Sequence, residues 1–124
     1  MDDFSQTDPF DFSIEADPDW TEFHLDRNVD ARSRIIESYL PFTRMMAAKT
    51  YAKRTCSELE FQDYLQYATI GLVEAVDRFD PNRGVKFETF SATRITGAIL
   101  NGIDSLSEKQ QQVGARRRAI AARV

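Results

Sequence analysis

The chain is poor in the side chains that build reactive or metal-holding centres. Its 124 residues include one cysteine, Cys56, and one histidine, His24. A lone thiol excludes an internal disulfide, and the two residues cannot assemble a zinc cluster or a Cys/His nucleophilic pair. No metal or other cofactor is expected. No segment approaches the roughly 20 consecutive apolar residues of a membrane-spanning helix, and the acidic N-terminus lacks the basic start and apolar stretch of a secretory signal. The expected location is cytoplasmic, with no membrane partner. Gly-rich phosphate cradles and Ser/His pairings are missing too. Glu74, Asp77 and Asp80 are close in sequence, but carboxylates three apart on a helix read as a solvated face rather than an acid/base pair. The chain is not expected to be an enzyme.

Charge is plentiful but unevenly spread. The totals are 16 Lys plus Arg against 20 Asp plus Glu, a formal net charge of −4. Residues 1–30 hold ten acids against Arg27, a net −9, and residues 31–124 carry +5. An acidic extension joined to a moderately basic domain gives this pattern. Residues 1–27 mix Asp with Phe4, Phe10, Phe12, Ile14, Trp20 and Phe23 around Pro9 and Pro18, without a sustained period. They are expected to form a disordered extension, either a solubilising tail or a segment whose Phe10, Phe12, Ile14 and Trp20 dock on another protein. Folding back over the basic residues is a further reading, in which the extension screens them from DNA.

From residue 28 the pattern is helical. Asn28 or Asp30 can cap a helix carrying Ile35, Ile36, Tyr39 and Leu40, and Pro41 should break it and open the next piece. That piece is expected to run to about Arg54, with Thr55-Cys56-Ser57 as a loop. The stripe Phe61, Leu65, Ala68, Leu72, Ala75, Val76, Phe79 predicts a helix over about 58–79. Asp80-Pro81-Asn82-Arg83-Gly84 predicts a turn. A helix over about 87–103 follows, burying Phe87, Phe90, Ile95, Ala98, Ile99 and Ile103, and Ser107-Glu108-Lys109-Gln110 has the capping-box spacing for a last helix from 108 toward 123. No alternating β-branched run occurs, so the fold expected is all-α, a small helical bundle with a disordered acidic N-terminal extension. Its parts are the extension 1–27, a helical domain 28–106 and a basic C-terminal helix or linker start 107–124. Arg116-Arg117-Arg118 and Arg123 in that last part suit either phosphate contact or a solvated helix end with cations at its favourable pole.

The segment from Gly71 to Phe90 joins an amphipathic helix to a turn bearing Arg83 and Lys86, then to a helix opening with Phe87 and Phe90. Cations that track phosphates beside rings that stack on bases suit single-stranded nucleic acid; alternatively both rings anchor the helix to the core. Gln66, Gly71, Leu72, Ala75, Phe79-Asp80-Pro81, Arg83-Gly84, Phe87, Thr89, Arg94-Ile95 and Gly97-Ala98-Ile99-Leu100 stand in one register over some sixty residues. In this the stretch from Tyr39 to Leu100 resembles region 2 of the sigma-70 family of bacterial RNA polymerase sigma factors, above all its flagellar and sporulation branch.

The resemblance implies transcription initiation by binding rather than catalysis. Its partners would be core RNA polymerase, through the clamp helices of the largest subunit, and promoter DNA, the latter only alongside the polymerase; an anti-sigma factor is a further partner it allows. The polar face of the helix before the turn would bind the polymerase, with Asp63, Gln66, Glu74, Asp77 and Arg78 in candidate positions. The stretch after it would recognise and melt the −10 region, giving Arg83, Lys86, Phe87, Phe90, Arg94 and Thr96 DNA-facing or supporting roles.

The departures from the pattern lower positive charge. Thr96 stands where the family usually has a second arginine, Asn101-Gly102 and then Asp104 stand where it often has an acidic pair before another basic residue, and the aromatic-proline segment after region 2 is replaced by Leu106 to Gln112. Fewer cations mean weaker phosphate attraction. Full members carry two more helical domains, the last reading the −35 element, so this chain is expected to engage at most the clamp and the −10 region. Two alternatives stand beside that reading: a truncated sigma-like regulator that occupies the clamp without promoter recognition, and a helical protein-binding adaptor.

Overall fold

A computed structural model describes residues 18–55 and 57–122. Five α-helices account for most of them: α1 (Pro18–Asp26), α2 (Val29–Ser38), α3 (Leu40–Ala52), α4 (Phe61–Arg78) and α5 (Phe87–Ala122), with a single 3-10 turn at Pro81–Arg83. Among the described residues there is no strand, and no helix is long and apolar enough to cross a membrane.

Local chemistry sets most boundaries. The Ala31 amide donates to Asn28 Oδ1 at 2.9 Å, a side-chain cap that starts α2. Pro41 stands in the first turn of α3, where its missing N–H costs nothing, and Tyr39 both ends α2 and precedes α3. Helix α4 begins at Phe61 rather than at 58, because Asp63 turns back to accept a hydrogen bond from the Glu60 amide at 2.9 Å and so fixes the first turn there. After α4, Asp80 Oδ1 accepts from the Asn82 amide at 3.0 Å, and Gly84 takes the left-handed conformation, φ +76°, that reverses the chain.

Two sequence expectations change. The helix expected to end near Ile103 and the one expected to begin at Glu108 are one continuous helix of 36 residues, about 54 Å long. Neither proline nor a left-handed residue interrupts it, and Leu106 packs on the core at the point where a break was expected. Ser107 therefore lies inside a helix. The second change is α1. Residues 18–26, expected to belong to a disordered extension, form a helix whose Trp20 (2% exposed) and Phe23 lie in the core. Trp20 is thereby used internally rather than offered to another protein, and Phe10, Phe12 and Ile14 lie outside the described residues.

The core has two aromatic ends. At one, Phe87 is wholly buried, with ring centroids 4.5 Å from Tyr39, 5.0 Å from Trp20 and 5.2 Å from Phe79. At the other, Tyr51 meets Phe61 and Tyr64 edge-on. Between them α4 and α5 pack most closely of all. A Cβ at Gly71 would come within 2.8 Å of the Ile95 Cα, and the Tyr67 ring lies over Gly102. Gly71 brings the two backbones together and Gly102 makes room for the Tyr67 ring, so the α4–α5 unit carries the remaining helices as a frame.

Trp20→Ala should lower the unfolding free energy by about 3–5 kcal/mol in urea titration, whereas Thr21→Ala, exposed on the same helix, should change it by less than about 0.5 kcal/mol. A Trp20 variant as stable as wild type would show that α1 does not contribute to the core.

Candidate functional site

Two surfaces carry the candidate residues. The first is the outward face of α4. Asp63, Gln66, Ile70, Glu74 and Asp77 recur at steps of three and four and so form one stripe. Gln66, Glu74 and Arg78 are exposed. Asp63 is half-buried and holds the helix start through the Glu60 amide. Asp77 is engaged inside the chain: both carboxylate oxygens accept from Arg32 of α2, at 2.7 Å from Nε and 3.0 Å from Nη2. The Arg32 guanidinium holds the Asp77 carboxyl below its ordinary value, with Arg27 adding to the effect, and Asp77 raises Arg32 in turn. Of the five residues proposed for this face, Asp77 thus has an evident structural duty, tying α2 to α4.

One member of the stripe is apolar. Ile70 is 47% exposed at its centre, and beside it Leu40, Pro41 and Leu65 line a shallow groove of about 400 Å³ between α3 and α4. Sequence reasoning missed Ile70, although it was visible as an apolar residue on the arc opposite the Phe61-to-Phe79 stripe.

The second surface comprises the turn and the outer side of α5. Arg83 and Lys86 are exposed, and Arg83 Nε stands 3.8 Å from Asp80 Oδ2. Phe87 offers no ring face to a base, because the aromatic cluster encloses it; its role here is to support. Phe90 differs. It is half-buried, packs on Phe79 at 5.3 Å, and carries the Arg94 guanidinium 4.8 Å above its ring centroid. An aromatic edge and a cation are thereby held as one unit. Thr96 does not join them. Two residues beyond Arg94 it points about 200° round the helix, and it lines a cleft toward α3 with Leu100.

Between these edges the outward ridge of α5 includes Thr93, Gly97 and Leu100, the last 51% exposed. A Cβ at Gly97 would meet nothing within 4 Å. Unlike Gly71 and Gly102, this glycine has no internal packing reason, and a helix-interior glycine costs about 0.5–1 kcal/mol relative to alanine. A ridge of this kind admits close approach from outside.

Helix α1 borders the same turn. His24 Nε2 lies 3.4 Å from Asn82 Nδ2 and 3.9 Å from Asp80 Oδ1, while Arg34 of α2 joins Asp19 and Glu22 of α1.

Comparison with known proteins bears on both surfaces. A family model described as Sigma-70 region 2 matches residues 35–108, which covers α3 and α4, the turn and the first part of α5 and leaves α1 outside. The chain is 43% identical over 68 residues to RNA polymerase sigma-F factor of Kitasatospora aureofaciens, covering 55% of this chain and 22% of that protein. It is 34% identical over 85 residues to RNA polymerase sigma factor FliA of Salmonella typhimurium, covering 68% of this chain and 35% of that protein. With FliA of Pseudomonas aeruginosa it shares 30% over 74 residues, 60% of this chain and 30% of that protein. The chain thus spans between about a fifth and a third of the length of these relatives.

The Arg32–Asp77 pair gives a pH signature. A carboxyl held below its ordinary value of 3.8 stabilises the fold above that value and loses this contribution as pH falls through the lower folded value. The stability difference between wild type and Asp77→Asn should therefore be constant from about pH 7 to 5 and shrink below about pH 4 in urea titrations at fixed pH. A difference that persists unchanged to pH 2 would show that the carboxylate is not stabilised by Arg32.

Proposed function

Because the chain belongs to the sigma-70 region 2 family, we propose that it acts in transcription initiation by holding core RNA polymerase with α4 and stabilising opened −10 promoter DNA on α5. It makes and breaks no bonds. The observation that carries this reading is the division of one rigid α4–α5 unit into two outward faces of different chemistry. The α4 face is polar with an apolar centre at Ile70, which suits a protein surface. The α5 face combines the Phe90–Arg94 unit with an open glycine, which suits bases and phosphates approaching a helix closely.

The mechanism is differential binding. Unpaired bases present π-faces and exposed edges that duplex DNA hides, so a surface offering a ring edge and a cation gains contacts only once the strands part. Opened DNA is stabilised relative to closed DNA by that difference alone. Phe87 sets the geometry from behind, because its enclosure among Trp20, Tyr39 and Phe79 fixes where α5 begins. Arg83 and Lys86 at the turn add phosphate attraction, which nearby Asp80 and Glu88 partly offset. Net attraction to DNA is therefore modest and calls for the polymerase as co-binder.

Charge on α5 favours a second reading. From Phe87 to Glu108 the helix holds Arg94 against Glu88, Asp104 and Glu108, which suits a polymerase-bound regulator that does not open promoters. Reconstituted polymerase separates the two, since only the first predicts open complexes.

Two variants test the faces independently. Gln66→Lys combined with Glu74→Lys should weaken binding to core polymerase at least about tenfold in a fluorescence titration, with the helix content unchanged; undiminished affinity would remove the α4 interface. Gly97→Ala should raise thermal stability, by about 0.5–1 kcal/mol, while lowering open-complex formation by polymerase carrying the chain. An alanine variant that is both more stable and fully active in opening would remove the close approach to α5.

A further inference from the structure

A second group of cations lies away from the turn. Between Glu37 and Glu58 the sequence contains no acidic residue but holds Arg44, Lys49, Lys53 and Arg54, in a chain whose acids outnumber its bases. The structure brings three of these cations to one edge. Lys49, Lys53 and Arg54, at the end of α3, rim a cleft of about 520 Å³ whose opposite wall is α5, with Thr96, Leu100 and Ser107.

Internal needs do not account for all three. Arg54 donates to the Tyr51 carbonyl at 2.9 Å and stacks over the Tyr51 ring at 3.9 Å, so it finishes the helix end. Lys49 and Lys53 are exposed, stand one helical turn apart, and pair with no carboxylate among the described residues. Like charges at this spacing repel by a few tenths of a kcal/mol. The one acid lining the cleft, Asp104 on the far wall, makes no ion pair with them.

We propose that Lys49 and Lys53 form a second phosphate-binding site, which takes the DNA backbone as it leaves the Phe90–Arg94 edge and crosses the α5 ridge. This deepens the function proposed above and rests on it. Three features select a nucleic-acid backbone over an acidic peptide. The cations are compact ammonium groups on flexible stems, suited to phosphates as point charges. Thr96 and Ser107, which line the other wall, bring hydroxyl groups as neutral donors. Moreover, the cleft is continuous with the α5 ridge, since Leu100 belongs to both. Thr96, which lowers charge beside Arg94, thereby serves the opposite edge of the helix, and part of the cation count missing from α5 is supplied by α3.

The test is the salt dependence of DNA binding by the full chain with core polymerase, using a 30-base single-stranded oligonucleotide and the corresponding duplex from 50 to 300 mM KCl. Each lost phosphate contact reduces the slope of log K against log salt by about 0.9 on duplex and about 0.7 on single strands. For Lys49→Gln/Lys53→Gln the slope should fall by about 1.8 or about 1.4 respectively, and Lys49→Arg/Lys53→Arg should restore it. Circular dichroism melts establish that both variants fold. A slope equal to wild type in the Gln variant, while wild type binds DNA, would overturn the second site and leave the proposed function standing. Loss of polymerase affinity with an unchanged DNA slope would also overturn it, marking the cleft as a protein contact. If the wild-type complex binds neither oligonucleotide, the second site and the DNA half of the proposed function fall together.

Discussion

Everything the surfaces can do depends on where Phe87 sits. It is the first residue of α5, it is completely enclosed, and its neighbours come from α1, the α2–α3 junction and the end of α4. A turn of eight residues separates α4 from α5, too short to orient a 54 Å helix by itself. The ring cluster supplies the missing constraint: with Phe87 pinned, the register of α5 follows, and with it the outward position of Phe90, Arg94 and Gly97. Every one of the five helices contributes to, starts at or ends at this cluster, so one burial event couples the N-terminal helix to the face proposed for DNA.

The second constraint is the close contact of α4 and α5 at Gly71 and Gly102. With no side chain at either position, the α4 backbone meets that of α5 at Gly71 and the Tyr67 ring seats on α5 at Gly102, which packs the two helices as one frame. The proposed polymerase and DNA contacts then need no conformational relay. The Arg32–Asp77 pair adds α2 to this frame, at a half-exposed position where water screening keeps its contribution below about 1 kcal/mol.

Much of this is legible in the residues because the signals are local. Asn28 caps, Pro41 breaks, Asp80 to Gly84 turns, and the Phe61-to-Phe79 stripe marks the buried side of α4. Helix α1 escapes such reading for a definite reason. Asp19 and Glu22, which make the segment look solvated, are the groups that Arg34 holds, and Trp20 and Phe23 are too few to show a period. The capping-box spacing at Ser107 fails in the opposite way: a local start signal is overridden because nothing nearby ends the preceding helix, and Leu106 still has the core to pack on. At the site, the pairing of Phe90 with Arg94 is visible from their i, i+4 spacing. That Phe87 supports rather than faces a ligand, and that Thr96 belongs to the opposite edge, depends on the angle of α5, which only the aromatic cluster determines.

The net charge of −4 is therefore a poor guide to binding. The acids of α1 are partly consumed by Arg34, Asp63 and Asp77 of α4 are engaged by the Glu60 amide and Arg32, and the acid-free run of α3 stands beside α5. The account's central claim is that two faces of one rigid unit meet two different partners at once. Photo-crosslinking from a benzophenone side chain placed at Gln66 or at Thr93, in the complex of the full chain with core polymerase and promoter DNA, tests it most directly. The account predicts attachment to the largest polymerase subunit from position 66 and to DNA from position 93. Attachment of both positions to protein, or of position 66 to DNA, would contradict it.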